Sequence, residues 1–172
     1  MIKSLKTVAK ELAVHESGHL VLLALFDLVD DTVLVNKSIF SELQQHVFDL
    51  AVHKFGRIPL LYPFVGRRNR LLPPPAIASI QELDKFREVT RYQNWFLYKK
   101  KLKKRPTDHN DSKKDPEVRQ SELRNHLSPI VLQGVADHSA ELVRDSFGCQ
   151  FATEVLLGSS GTYPPHFTPR CD

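Results

Sequence analysis

The sequence predicts an all-α fold, a right-handed solenoid of stacked helical units. The first observation behind this is a duplication. Ala13-Val14-His15-Glu16-Ser17-Gly18-His19-Leu20-Val21-Leu22-Leu23-Ala24-Leu25-Phe26 returns, 38 residues on and without a gap, as Ala51-Val52-His53-Lys54-Phe55-Gly56-Arg57-Ile58-Pro59-Leu60-Leu61-Tyr62-Pro63-Phe64. A fixed period of this length marks stacked supersecondary units, because one unit cannot bury its apolar face by itself. The second observation is apolar spacing. Leu5, Val8 and Leu12 recur at helix period ahead of the first copy, and apolar residues dominate after each glycine.

Taken in order, Ser4 to Val14 reads as a first helix, with Lys3, Lys6 and Lys10 away from its apolar face. Ser17 is placed to cap a second helix, Gly18 to about Val29. That helix is apolar almost all round, which predicts neighbours on every side. Asp30-Asp31-Thr32 supplies N-cap oxygens for a third helix, Val33 to about Leu43. Gln44 to Val52 then repeats the first helix, and Gly56 to Tyr62 repeats the second. Pro59 fits a first turn, whereas Pro63 is expected to end its helix early. Residues 1–65 thus hold two repeats of three helices each.

Residues 66–111 break the pattern and read as a basic linker or insertion. Gly66-Arg67-Arg68-Asn69-Arg70 is turn-like, and Pro73-Pro74-Pro75 reads as an extended spacer. Ala76 to Val89 is expected to be helical on Ile77, Ile80, Leu83 and Phe86. Arg91 to Asp111, with Trp95, Tyr98 and the cluster Lys99, Lys100, Lys101, Lys103, Lys104 and Arg105, has no counterpart in the repeats. That cluster fits a localisation signal or a nucleic-acid patch, and equally a solvated loop.

Residues 112–160 return to helical pattern. Asp115-Pro116-Glu117 is an N-cap, a first-position proline and a first-turn acid, and Ser128-Pro129 is expected to start a further helix. Asp145 to Thr153 echoes the repeat, with Gly148 aligned to Gly18 and Gly56. The tail, residues 161–172, reads as disordered. With no apolar helix to close the stack, the chain reads as truncated, part of a longer array.

His15-Glu16-Ser17-Gly18-His19 also fits H-E-x-x-H, the zinc-protease motif in which two His one turn apart bind metal and the Glu activates water. The second copy, His53-Lys54-Phe55-Gly56-Arg57, keeps the first His and the Gly but neither of the other two. His15 and Gly18 are therefore explained as repeat framework, and no bound metal is expected.

Composition narrows the classes further. The net charge of +4 permits a nucleic-acid partner without requiring one. Cys149 and Cys171 form no C-x-x-C, which argues against a disulfide framework or a Cys-based metal site. The apolar run Leu20 to Phe26 is too short to span a bilayer, and no membrane partner is expected. No motif asks for a cofactor or a small-molecule substrate.

The order of a short apolar helix, His-x-x-Gly, an apolar helix and an acidic turn resembles the Pumilio (PUF) repeat. The run Leu22 to Asp27 followed by Val29-Asp30-Asp31-Thr32 resembles its Puf-A branch. Ser112 to Arg119 and Ser128-Pro129 resemble the CPL segment found near the C-terminus of that branch. The resemblance implies that the residues following each glycine line a concave RNA-facing surface: His19, Leu20 and Leu23 in the first unit, and Arg57, Ile58 and Leu61 in the second. It also implies a non-enzymatic, nucleolar role in ribosome assembly and rRNA processing, or alternatively in translational regulation, with pre-ribosomal proteins as further partners.

Side-chain chemistry modifies that expectation. PUF repeats read a base edge with polar groups and stack the base on an aromatic or Arg. Leu23 and Leu61 can neither donate nor accept a hydrogen bond. Phosphate contacts from Lys54, Arg57, Arg67, Arg68 and Arg70 are expected instead, holding RNA and also DNA with little regard to sequence. The competing readings are a helical scaffold that binds only protein and the zinc protease.

Overall fold

The structure, a computed structural model, describes residues 2–67, 71–82 and 114–159, and every regular element among them is helical. A 3-10 helix, Ile2–Val8, leads into α1 (Ala9–Val14). Next come α2 (Gly18–Leu28) and α3 (Thr32–Val35). A π-helical segment, Asn36–Phe40, joins α3 to α4 (Ser41–Leu43). A 3-10 turn, Gln44–His46, precedes α5 (Val47–Ala51), and α6 is Arg57–Val65. Residues 74–82 form α7. After the undescribed stretch come α8 (Pro116–Asp137), α9 (Ser139–Arg144) and α10 (Ser146–Ser159). The fold is the expected all-α repeat stack. α2 lies against α6, α6 lies against α10, and α1, α5 and α9 pack beside them.

Local signals explain most boundaries. Asp31 Oδ1 accepts the Leu34 N–H at 2.9 Å, and Asp115 Oδ1 accepts the Glu117 N–H at 2.8 Å, so both expected N-caps form. The third helix of the first unit is not one regular rod. Its π segment widens the turn so that Ser38, Ile39 and Phe40 are all buried, together with Val35 and Leu43.

Three proline expectations need correction. Pro63 lies inside α6 and does not end it; Ile58 to Val65 are all buried, and their packing outweighs one missing backbone hydrogen bond. The helix ends instead at Gly66, whose φ of 68° suits a residue without a Cβ. Pro74 and Pro75 do not form an extended spacer but open α7, where first-turn N–H groups have no intrahelical partner to lose. Pro129 is likewise internal to α8. Leu123, Leu127, Val131 and Val135, one turn apart, form a single buried face that runs straight past it. α2 is also less enclosed than expected, with Val21 and Leu28 exposed.

One hydrophobic cluster joins all of this. Leu22, Leu23, Phe26, Phe40, Leu43, Leu50, Leu60 and Leu61 are continuous with Leu123, Leu127, Val131, Phe151 and Val155. Each such side chain contributes about 1.5–3 kcal/mol on burial. A polar network ties α8 to the first unit. The buried Arg119 donates to the Asp27 carbonyl at the end of α2, pairs with Asp30, and donates to the Lys114 carbonyl. A cation there also complements the negative end of the helix dipole. The Asp27 carboxylate accepts from the Tyr62 hydroxyl at 2.5 Å and from Arg67 Nη2 at 2.6 Å. Burial, and then the Asp27 charge, pushes the Tyr62 hydroxyl well above its ordinary value, so it stays a donor.

Arg119→Met keeps the apolar stem and deletes these charge-assisted bonds. It should cost about 1.5–3 kcal/mol. Urea unfolding would show this as a lower midpoint at unchanged slope; an unchanged midpoint would mean that the network contributes nothing net.

Candidate nucleic-acid interface

The site is built from one local device used three times. A short helix ends, the chain turns, and a longer helix starts beneath a side-chain cap. His15 Nδ1 accepts the N–H groups of Ser17 and Gly18, each at 3.1 Å. His53 Nδ1 accepts those of Phe55 and Gly56, at 3.2 and 3.1 Å. Asp145 Oδ1 accepts that of Gly148 at 2.8 Å. The expected cap at Ser17 is therefore replaced: Ser17 makes no side-chain cap bond, and the histidine two positions earlier takes that role. Each glycine lies against the leucine six residues before it. A methyl group at Gly18 would sit 2.7 Å from the Leu12 carbonyl oxygen, and one at Gly148 would sit 2.6 Å from that of Leu142. At Gly56 the nearest atom would be Leu50 Cδ2 at 2.9 Å. The echo at Gly148 is thus a third unit with the same geometry.

Stacking the units brings the residue after one glycine onto the residue before the next. His19 stacks on Phe55, with ring centroids 5.2 Å apart and planes 17° apart. Arg57 lies over Phe147, 4.4 Å from its centroid. Phe55 and Phe147 occupy equivalent places and form the rungs of a ladder that the sequence reading missed. The signal was present, since both directly precede an aligned glycine. Lys54 lies 5.0 Å from the Phe55 centroid and is exposed.

The ladder redefines the expected site residues. Leu23 and Leu61 are fully buried and Ile58 nearly so, while Leu20 is half-buried against the core. Leu23, Leu61 and Ile58 are thus packed in the core, and Leu20 lies partly against it. His19 is buried as well. Its Nδ1 sits 3.1 Å from the His15 carbonyl, and desolvation holds its pKa below the ordinary value despite that bond. Arg57 donates to Gln150 Oε1 at 3.0 Å and to the Lys54 carbonyl. Arg67 is committed to Asp27. Both guanidinium groups therefore hold the protein together. Arg68 and Arg70, and Lys99 to Arg105, lie outside the described residues, as does the tail.

The H-E-x-x-H match does not have the geometry of its motif. His15 sits in extended backbone after α1, whereas His19 is inside α2, so the two do not share a helical face. The His15 nitrogen is engaged as a cap. Among the described residues no group of three or more His, Cys, Asp or Glu could hold a metal ion, and no helix is long and apolar enough to cross a membrane.

Comparison with known proteins follows the same outline. Residues 97–168 match the CPL (NUC119) domain. Pumilio homolog 3 of Homo sapiens is 31% identical over 165 residues, 96% of this chain and 22% of the relative. Pumilio homology domain family member 6 of Saccharomyces cerevisiae is 29% identical over 157 residues, 91% of this chain and 21% of the relative. The chain thus spans about a fifth of the length of these relatives. The crystal structure of human Puf-A in complex with DNA is similar, with a TM-score of 0.72 and 31% identity over 91% of this chain and 26% of that one.

Two outcomes follow from the geometry. An exposed helical Gly→Ala change ordinarily gains about 1 kcal/mol; Gly18→Ala should instead lose about 1–3 kcal/mol by overpacking, read as a lower thermal midpoint. His19 gives a pH signature. Its folded pKa lies below the unfolded value, so the unfolded chain takes up the proton first. Its contribution is whole above the unfolded pKa of about 6.5 and declines as pH falls through that value. His19→Phe, which can keep the stack, should show a shallower loss of stability between about pH 7.5 and about pH 5. Equal slopes for the two proteins would remove His19 from the account.

Proposed function

We propose that this chain, which belongs to the Pumilio-like family in its Puf-A branch, binds RNA or DNA through phosphates with little base reading. The observation that carries this reading is the filled ladder. In a base-reading repeat, a slot between neighbouring units stays open for a base to stack. Here His19 covers Phe55 and Arg57 covers Phe147, and the neighbouring Leu23 and Leu61 are buried. Side chains already occupy the stacking positions, and no hydrogen-bonding group stands at the two leucine positions. Lys54 is exposed beside this edge, and the basic residues Arg68, Arg70 and Lys99 to Arg105 belong to the same chain. The human Puf-A structure in complex with DNA supports nucleic acid as the ligand class. The setting we propose is nucleolar ribosome biogenesis and rRNA processing, with pre-ribosomal proteins as neighbours, on the strength of the Puf-A resemblance.

Each phosphate neutralised by a Lys or Arg releases counterions, so affinity should fall steeply and linearly on a log–log salt plot. Unrelated RNA and DNA oligomers of equal length should bind within a few-fold of one another and share that slope. Lys54→Glu, and separately Arg68→Glu with Arg70→Glu, should weaken all of them alike and reduce the slope by about 1 per lost contact. A preference of about 1–3 kcal/mol per base for one short motif would show base reading instead. Absence of binding at low salt would favour the protein-only scaffold.

A further inference from the structure

Away from the glycine ladder, the repeats and α8 enclose a cleft of about 320 Å³. Its two walls are residues 44–49 and residues 130–138, and no residue of α2, α6 or α10 lines it. Both walls are internal to the chain, and neither makes the cleft alone. Gly134 lets them meet, since a Cβ there would sit 2.8 Å from Val47 Cγ1. Val47, Phe48 and Ile130 give the cleft apolar surface. Phe48 and His138 are half-buried and lie against each other, with ring centroids 4.6 Å apart. Besides His46 and His138, the ionisable side chains in the lining are both carboxylates, Asp49 and Asp137; no Lys or Arg lines it. Each carboxylate is held by one oxygen. Gln133 Nε2 donates to Asp137 Oδ1 at 2.7 Å, and Lys10 Nζ donates to Asp49 Oδ2 at 3.3 Å. Among the described residues no hydrogen bond engages Asp137 Oδ2 or Asp49 Oδ1.

We propose that this cleft is a docking site for a partner protein, which inserts one arginine side chain into it. The charge of the lining selects the ligand class. Two carboxylates repel phosphate, so this is not a second nucleic-acid surface, and the inference stands apart from the nucleic-acid reading above. The volume lies at the small end of ligand sites, which run from roughly 300 to 1,000 Å³, and suits one long side chain better than a packed helix. Shape and chemistry then favour arginine over lysine. A guanidinium is planar, offers several donors in a fixed fork, and stacks on ring faces, whereas an ammonium is a hydrated point charge. Phe48 and His138 supply the ring surface, and Asp49 and Asp137 supply the acceptors. Arginine is also a frequent anchor of protein–protein interfaces. Lys10 does not block the site. Its pair with Asp49 is solvent-exposed, with side chains 41% and 62% exposed, and such pairs hold weakly.

The probe is a capped Gly-Arg-Gly peptide, titrated into the whole ¹⁵N-labelled chain and followed by amide chemical shifts. One side chain should bind in the millimolar range, about 4 kcal/mol. Saturable shifts are expected at Gly134 and His138, with none at Lys54 or Phe55. The lysine peptide should bind at least threefold more weakly, and the peptide carrying uncharged citrulline should not saturate. Asp137→Asn and Asp49→Asn should each weaken the arginine peptide, and the double variant should do so at least tenfold. Both sites are exposed, so all three variants should keep the wild-type far-UV circular dichroism. Absence of saturable shifts at Gly134 and His138 would overturn the inference. So would equal binding of the arginine and citrulline peptides, or binding indifferent to both substitutions. A single-stranded RNA oligomer that moved the Gly134 amide while the arginine peptide did not would overturn it too, by placing nucleic acid in the cleft.

Discussion

Three glycines packed against three leucine backbones set the geometry of everything else. At Gly18, Gly56 and Gly148 the start of a long helix comes so close to the preceding short helix that a Cβ would meet a carbonyl oxygen or a leucine methyl within about 3 Å. The caps above them, His15, His53 and Asp145, satisfy N–H groups that this approach would otherwise leave without partners. Together the contact and the cap repeat one junction between short and long helix in each unit. With that junction repeated, α2 lies against α6 and α6 against α10, and residues flanking successive glycines meet.

That meeting decides the chemistry of the edge. An arginine after a glycine looks, in isolation, like a phosphate ligand. In the stack its guanidinium carbon lies over Phe147 and its nitrogens reach Gln150 and the Lys54 carbonyl. Desolvation lowers its pKa from the ordinary value, with Asp145 acting in the opposite direction. Arg67 is drawn into the Asp27 and Tyr62 network in the same way. The cations that stiffen the repeats and those available to solvent are therefore different residues, and Lys54 is of the second kind.

The helix α8 integrates the two halves of the chain. Its apolar stripe joins the repeat core, Gly134 lets it approach Val47 closely, and Arg119 clamps the end of α2. Glu122 reaches back to Thr32 and Lys114, and its pKa is lowered first by the Lys114 bond. Partners some 90 residues apart in sequence thus share one polar network that joins α8 to the first unit.

How much of this was legible in the sequence follows from which features are local. The 38-residue duplication, the helical spacing, the Asp31 and Asp115 caps and the alignment of Gly148 all depend on residues within a turn or two of each other. Those could be read correctly before any coordinates. Pro63 and Pro129 could not, because burial of Ile58 to Val65 and of the Leu123–Val135 stripe outweighs a local penalty, and burial is a tertiary quantity. Nor could the fate of Leu23, Arg57 and Arg67. The sequence placed Leu23 and Arg57 on their helices and Arg67 in the turn after α6, but whether a side chain faces solvent or a neighbour depends on the helix that arrives beside it. The sequence by itself determined the repeat, its period and its family. Only the packing of one unit on the next decided which residues became rungs, which became core, and which were left to meet a ligand.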